Sequence, residues 1–311
     1  MAIVVVGAIY VDVKGFPDDV YLPTGRNAGK VEFVHGGVGR NVAEDIANVE
    51  LRPAFVSLVD ESAEGQEVVR QLQRHKVNTD YIRTVPNGMG MWLAVFDECG
   101  DLAGSISKRP DLSAMLELLE EKGDEIFKNA DSVVVEVDID KDILKSVLGF
   151  AKKYNKPAFG VVANMSIASQ RRDLLQSLEC FVCNEQEAGI LFVDDFSGME
   201  PELLAEKLYN CVVSANIPSV VVTLGSRGAV FASLNGERGF HPAQKVKVRD
   251  TTGAGDAFCA GVSLGLTYGK TLREAVEIGT RLAASVIIVS ENVCPRFRPR
   301  ELGLDVELEE E

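Results

Sequence analysis

Six compact apolar runs rich in β-branched residues, at 3–9, 54–59, 132–137, 158–162, 180–182 and 219–224, recur along the chain with amphipathic stretches between them. This alternation constrains the fold more than any other feature. The intervening segments at 64–75, 141–154, 170–178 and 201–214 carry apolar residues at helical spacing. Strand and helix in turn predict βαβ units with right-handed crossovers, hence an α/β protein whose mainly parallel central sheet has helices on both faces. A chain of 311 residues, 46% of them apolar, can build one large domain of this kind or two smaller ones. Ligands of such sheets sit at the carboxyl ends of the strands.

Two segments break the alternation. Residues 11–34 and 88–107 contain short alternating runs, Lys30-Val31-Glu32-Phe33-Val34 and Met91-Trp92-Leu93-Ala94-Val95-Phe96, with turn residues at Cys99-Gly100-Asp101. They read as small antiparallel strands. Left uncovered, Phe33, Trp92 and Phe96 would expose apolar area.

Two glycine strings follow strand-like segments, where a ligand site is expected. In Asp250-Thr251-Thr252-Gly253-Ala254-Gly255-Asp256 the glycines let backbone N–H groups converge on a negative oxygen, and the helix they open adds the positive end of its dipole. Asp256 then faces a reacting hydroxyl as a proton acceptor. The helix continues with the small residues Ala257, Ala260, Gly261 and Ser263, which permit close backbone packing. A turn capping an apolar helix is the plainer reading of the same string. The second string, Gly36-Gly37-Val38-Gly39-Arg40-Asn41-Val42-Ala43, turns on glycines into a helix whose apolar face runs through Ile46, Ala47 and Val49.

Two further strings have both a structural and a functional reading. Asn184-Glu185-Gln186-Glu187 follows a strand; Asn184 as N-cap and Glu187 three residues on form a capping box. Thr223-Leu224-Gly225-Ser226-Arg227-Gly228 ends a Val-rich strand and is continued by Ala229-Val230-Phe231, which reads as a hairpin turn. Its amides and hydroxyls also suit a phosphate.

Together these strings resemble the ribokinase-like, or PfkB, carbohydrate kinases. The likeness runs from Val4 to Asn292, and the form Gly-Gly-Val-Gly-Arg-Asn preceded by Gly29-Lys30 looks most like pseudouridine kinases. The resemblance implies one three-layer domain over 1–311, with the segments at about 13–34 and 88–107 forming a β-sheet lid over the acceptor and mediating a homodimer. It implies in-line transfer of the γ-phosphoryl group of ATP to a primary hydroxyl. Asp256 is then the base, and the amides of Gly253, Ala254 and Gly255 form the anion hole. Asp12, Gly37 and Asn41 become acceptor contacts; Asn184, Thr223, Gly225, Ser226 and Gly228 become nucleotide contacts. Glu187 organises Mg2+ through water, and Asp250 ligates a monovalent cation such as K+. The helix at 272–289 and the loop at 290–292 would supply an adenine wall. Three places depart from the pattern: Tyr10 stands where the family frequently has Asn, Val161 where many relatives place an Asp near the metal, and Arg26-Asn27-Ala28 lack the Pro common in the pseudouridine-specific version.

Composition bounds the partners. A net charge of −15 argues against nucleic-acid or anionic-membrane surfaces, which need clustered Lys and Arg. No apolar run reaches membrane-spanning length and no charged-then-apolar leader opens the chain, so a cytoplasmic protein is expected. Cys99, Cys180, Cys183, Cys211, Cys259 and Cys294 are scattered and read as reduced core thiols. Cys180 and Cys183 have C-x-x-C spacing, but no second ligand pair accompanies them. A Walker-type P-loop, a G-x-G-x-x-G dinucleotide fingerprint and protein-kinase strings are all missing. The expectation is therefore a sugar or nucleoside kinase, pseudouridine leading, with ribose, fructose phosphate or another nucleoside behind. The competing readings are a silent sugar or nucleotide sensor on the same scaffold and, disfavoured by the missing fingerprint, a nicotinamide-dependent oxidoreductase.

Overall fold

A computed structural model describes residues 2–289 and 291–304; the Glu-rich tail from Glu307, read from sequence as disordered, lies outside the described residues. In chain order the first half contains β1 (Ile3–Val6), β2 (Tyr10–Pro17), β3 (Gly29–Gly36), α1 (Val38–Asn48), β4 (Ala54–Val59), α2 (Ala63–Arg74), β5 (Ile82–Thr84), β6 (Gly90–Phe96), β7 (Leu102–Lys108), α3 (Ala114–Lys128), β8 (Ser132–Glu136) and α4 (Lys141–Lys153). The second half contains β9 (Ala158–Val161), α5 (Met165–Ala168), α6 (Arg172–Leu175), β10 (Cys180–Asn184), α7 (Glu185–Phe192), α8 (Pro201–Ala215), β11 (Ser219–Thr223), β12 (Gly228–Ser233), β13 (Arg238–Pro242), α9 (Ala254–Thr267) and α10 (Leu272–Val286).

Nine strands form one sheet in the order β13-β12-β11-β10-β9-β8-β1-β4-β5. From β5 to β11 every pairing is parallel, and the edge hairpin of β12 and β13 is antiparallel. The parallel strands are buried on both sides, which is why they read as unbroken runs such as Val220-Val221-Val222. Helices α1, α2, α9 and α10 pack on one face and α3 to α8 on the other, each face sealing its own apolar core. The fold is thus the three-layer ribokinase-like α/β architecture anticipated above. Among the described residues no helix is long and apolar enough to cross a membrane.

The small residues of α9 are accounted for by helix packing. A Cβ on Gly261 would lie 2.6 Å from Gly279 Cα, and one on Gly265 2.7 Å from Ala275 Cα, so α9 and α10 touch backbone to backbone. The C-x-x-C pair is also explained: Cys180 and Cys183 point to opposite faces of β10 and belong to the two different cores. Burial pushes the Cys180 thiol up to about 12.

Two elements differ from their sequence reading. The first strand ends at Val6, because beyond Gly7 the chain leaves the sheet for the lid and the Ala8 N–H turns to the Glu136 carboxylate (3.2 Å). The helix expected at 170–178 is reduced to the end of a 3-10 turn over Ser169–Arg171 and the single turn α6, which stops at Leu175; α5 precedes it. The break falls at Arg171 (φ −126°, ψ 35°), whose guanidinium donates to the carbonyls of Val137 (3.0 Å) and Ile139.

A second sheet, ordered β3-β2-β6-β7, stands apart from the first. Its strands begin at Tyr10 and end at Lys108, slightly wider than the lid segments read from sequence. Only β2 and β6 pair in parallel; the other two pairings are antiparallel. The pleat divides its side chains. Val13, Phe33, Leu93 and Ile106 share one face by register, and Asp12, Val34, Trp92 and Ser107 share the other. Phe33 is 62% and Ile106 69% exposed, whereas Trp92 is partly covered and Phe96 stacks on Phe16 with ring centroids 4.8 Å apart. Of the three aromatics expected to be covered, Phe33 is therefore the exception, because its position on β3 faces outward.

Candidate active site

A cavity of about 1010 Å³ opens between the inner face of the small sheet and the carboxyl ends of the central strands. Asp12, Gly37, Asn41, Gly253 and Asp256 all line it, so two glycine strings far apart in sequence meet across one space. Each element explains its share. Gly37 (φ +100°) turns the chain from β3 into α1, and a Cβ there would lie 2.4 Å from Ala8 O. One turn into α1, Asn41 extends its Nδ2 to Asp256 Oδ2 at 2.6 Å.

Asp256 sits in the first turn of α9, whose N-terminus has no side-chain cap. The first-turn N–H groups of an uncapped helix need an outside acceptor. Ala254 N–H already spans 3.3 Å to Thr251 O, a long bond that leaves it the weakest of the three expected donors. Gly253 (φ +81°) is required by the protein itself: a Cβ there would lie 1.9 Å from Asn292 O. Gly255 is not, since a Cβ on it would meet no protein atom within 4 Å. Burial raises the Asp256 carboxyl to about 6, against the Asn41 hydrogen bond and the Arg40 charge, which both lower it.

Behind this turn lies a buried polar lattice. Arg40, 1% exposed, pairs with Glu44, 0% exposed, at 2.5 Å and also donates to His35 O and to Asn292 Oδ1 (3.2 Å). Asn292 Nδ2 donates to the same His35 carbonyl at 2.7 Å. Asn292, expected in an adenine wall, has its carbonyl against Gly253 and its side-chain amide on the end of β3.

The acceptor side holds two carboxylates that the sequence reading missed. Glu136, at the end of β8, accepts from Ala8 N–H and Gly39 N–H, and its pKa is raised to about 8 by burial and then by Asp138. Asp138 accepts from Ala163 N–H at 2.9 Å; burial raises it too. Their signal was present in Val135-Glu136-Val137-Asp138, acids closing a strand that is otherwise all apolar, in the position where parallel sheets bind ligands. Asp12 is likewise raised by burial, with Lys14 and Arg40 opposing, and the Tyr10 ring packs against Gly90.

The nucleotide-side residues lie elsewhere. None of Asn184, Glu187, Thr223, Gly225, Ser226 and Gly228 lines the cavity. They gather at the neighbouring carboxyl ends of β10 and β11, where Asn184 and Thr223 are register partners. Asn184 and Glu187 make the capping box in both directions (2.7 and 2.9 Å), and Glu187 is raised by burial, with Asp138 also pushing it up. Gly225–Arg227 form a 3-10 turn between β11 and β12, so the hairpin reading holds. Its cation is occupied: Arg227 pairs with Glu185 at 2.5 Å and donates to Met199 O at 2.9 Å. Asp250 Oδ1 accepts from Thr252 N–H (2.9 Å) and Thr252 Oγ1 (2.8 Å), an Asx turn that leads into Gly253 and the start of α9.

Chemically, the site joins a fixed carboxylate of elevated pKa, an uncapped helix N-terminus and a cluster of acids that push one another toward protonation. Among the described residues no group of three or more Asp, Glu, His or Cys side chains is placed to hold a metal ion directly. Over 292 residues the chain is 35% identical to the guanosine-inosine kinase of Exiguobacterium acetylicum, covering 93% of this chain and 95% of that one. It is 26% identical to the pseudouridine kinase of Escherichia coli K12, covering 88% and 86%. The Arabidopsis thaliana ribokinase complexed with ribose and ATP superposes with a TM-score of 0.82 over 97% of this chain and 99% of that chain, at 23% identity, a likeness of fold. With the pfkB carbohydrate kinase family matching residues 2–292, and with both glycine strings brought to one cavity, the chain belongs to that family of phosphotransferases acting on hydroxyl groups.

Proposed function

We propose that the protein transfers the γ-phosphoryl group of ATP to the primary hydroxyl of a nucleoside, with Asp256 as general base. The observation that carries this reading is the position of Asp256: in the cavity, in the open first turn of α9, held by Asn41, with a pKa near 6. A base of that pKa is mostly ionised at neutral pH and still basic enough to take a proton as the hydroxyl oxygen attacks. The Gly253 and Gly255 amides and the dipole of α9 face the charge on the transferring group. Asp12 and Asn41 orient the sugar, and Glu136, protonated at neutral pH, adds a neutral carboxyl to the same wall.

The acid cluster fits Mg2+, which Glu187 and Asp138 would hold largely through water; when bound it neutralises the nucleotide phosphates. Asn184, Thr223, Gly225, Ser226 and Gly228 are assigned to the nucleotide by their place at the ends of β10 and β11. Asp250 is assigned to a monovalent cation such as K+ that would tighten the turn before Gly253. The outward apolar row of the lid, Val31, Phe33, Leu93 and Ile106, supports a homodimer through the small sheets.

Motif form favours pseudouridine as acceptor. The greater likeness to a relative named for guanosine and inosine, at 35% against 26%, favours a purine nucleoside, and that is the reading adopted. The test is ADP release over a panel of sugars and nucleosides by the wild type and by Asp256→Asn. Turnover on a nucleoside that falls by at least 10²-fold in the variant, with folding unchanged, is expected. A silent sensor would release no ADP above background, and full activity of Asp256→Asn would remove it from the reaction.

A further inference from the structure

The cavity is strongly one-signed. Seven carboxylates line it against two guanidinium groups, Arg109 and Arg171. Arg171 is spent on the strand-end carbonyls of Val137 and Ile139. Arg109 has no ion pair and no hydrogen bond among the described residues, although its side chain lines a space crowded with acids. It follows β7 directly and precedes Pro110, whose ring stiffens the chain as it passes from the lid to α3. Exposed at the cavity wall and without a protein partner among the described residues, this guanidinium keeps its donors available to a ligand.

The surroundings limit what that ligand is. A sugar phosphate is a poor match, since its dianion would face a wall of acids, of which only Glu136 is held neutral, with one available cation. A pentose alone leaves much of about 1010 Å³ empty. The remaining wall is built for a flat, uncharged group: Leu112, Leu116, Ile143 and Ile167 come from the helical side, and Tyr10 and Trp92 from the lid. A planar fork of N–H donors reads two adjacent acceptors, and among the purines the O6/N7 edge of a 6-oxopurine supplies them. Adenine presents a donor at position 6, and the uracil ring alternates donor and acceptor.

The geometry points to Arg109 as the residue that selects a 6-oxopurine nucleoside, by donating both arms of its guanidinium to O6 and N7 of the base. This rests on the nucleoside-kinase reading and adds to it the identity of the base and of the group that recognises it. Arg109 takes no part in phosphoryl transfer, so its removal is read in KM rather than in kcat.

The experiment compares wild type, Arg109→Ala and Arg109→Lys on guanosine, 7-deazaguanosine, adenosine, pseudouridine and ribose, by ADP release. In the wild type kcat/KM for guanosine should exceed that for adenosine by roughly 5- to 150-fold, and loss of N7 in 7-deazaguanosine should forfeit about tenfold. Arg109→Ala should erase both differences by raising KM for guanosine alone, with kcat and the adenosine rate kept. Arg109→Lys, a point donor, should not restore the N7 preference. Equal losses on every acceptor, or an N7 preference that survives Arg109→Ala, would overturn the assignment while leaving the nucleoside reading intact. A wild type active on ribose but on no nucleoside would instead overturn the nucleoside reading, and this assignment with it.

Discussion

Two glycines two residues apart at the start of α9 are expected to respond to the same substitution in opposite ways. At Gly253 a new Cβ would lie 1.9 Å from Asn292 O, in a residue with φ +81°. The carbonyl would have to retreat by about 1.5 Å to reach ordinary contact, and alanine in the left-handed region costs about 1–2 kcal/mol before any clash. Gly253→Ala should therefore lose both stability and activity. At Gly255 the added methyl meets no protein atom within 4 Å. Exchanging glycine for alanine in a helical turn adds about 0.4–1 kcal/mol of stability, or about 1–3 °C in Tm for a chain of this size. Yet that methyl would stand in the path of a phosphoryl oxygen approaching the helix N-terminus, and a displacement of about 1 Å there costs about 10²-fold in rate. Gly255→Ala should thus melt no lower than wild type while its kcat/KM falls about a hundredfold. Thermal melts and ADP release on the same preparations decide the matter. A stable Gly255→Ala enzyme with undiminished kcat/KM would show that phosphate does not approach this turn, and the proposed anion hole would fall.

Other expectations follow from the charges of the site. The free-enzyme pH profile of kcat/KM should lose activity on the acid side with a midpoint near 6, as Asp256 takes up its proton. Since the Asn41 bond favours the ionised form, Asn41→Leu should move that limb to higher pH; a limb that stays put would free Asp256 of it. Glu136 keeps its proton in the folded state up to about 8 but ionises near 4.5 when unfolded, so the folded state holds the extra proton between these values and stability falls as pH rises. In urea titrations Glu136→Gln, which retains an acceptor for Ala8 and Gly39, should remove up to about 1.4 kcal/mol per pH unit of that decline; an unchanged slope would assign it to other groups. Arg40→Met strands the buried Glu44 charge and should cost about 3–5 kcal/mol, a loss partly recovered by adding Glu44→Leu. A cost under about 1 kcal/mol would show that the Arg40–Glu44 pair does not hold the fold in this way.

What the sequence conveyed depended on whether the cause was local. The strands at 54–59 and 219–223 were legible because compact runs dominated by apolar, largely β-branched residues leave few alternatives, and the glycines at 37 and 253 because their backbone conformations exclude other residues. The break at Arg171 was not legible: the helix stops where a side chain reaches carbonyls more than thirty residues away, which no local spacing encodes. Glu136 escaped notice for a similar reason, since its elevated pKa arises only when the fold buries it beside Asp138, against the lowering effect of the Ala8 and Gly39 amides. Asn292 was placed against the adenine on the strength of an apolar neighbourhood, whereas its amide spans Arg40 and His35. The small residues after Asp256 suggested closeness to something, and the partner proved to be α10.

The two-residue period of the lid sheet separates two kinds of selection. Mutations at Val13, Val31, Phe33 or Leu93 can drift to suit whatever the exterior meets, without moving Tyr10, Asp12 or Trp92 on the reverse side. Insertion or deletion of one residue within β2 has no such freedom, because it would turn Asp12 to solvent and bring a valine into its place. Divergence among descendants of this small sheet should accordingly proceed by replacement in the outward row and avoid changes in strand length.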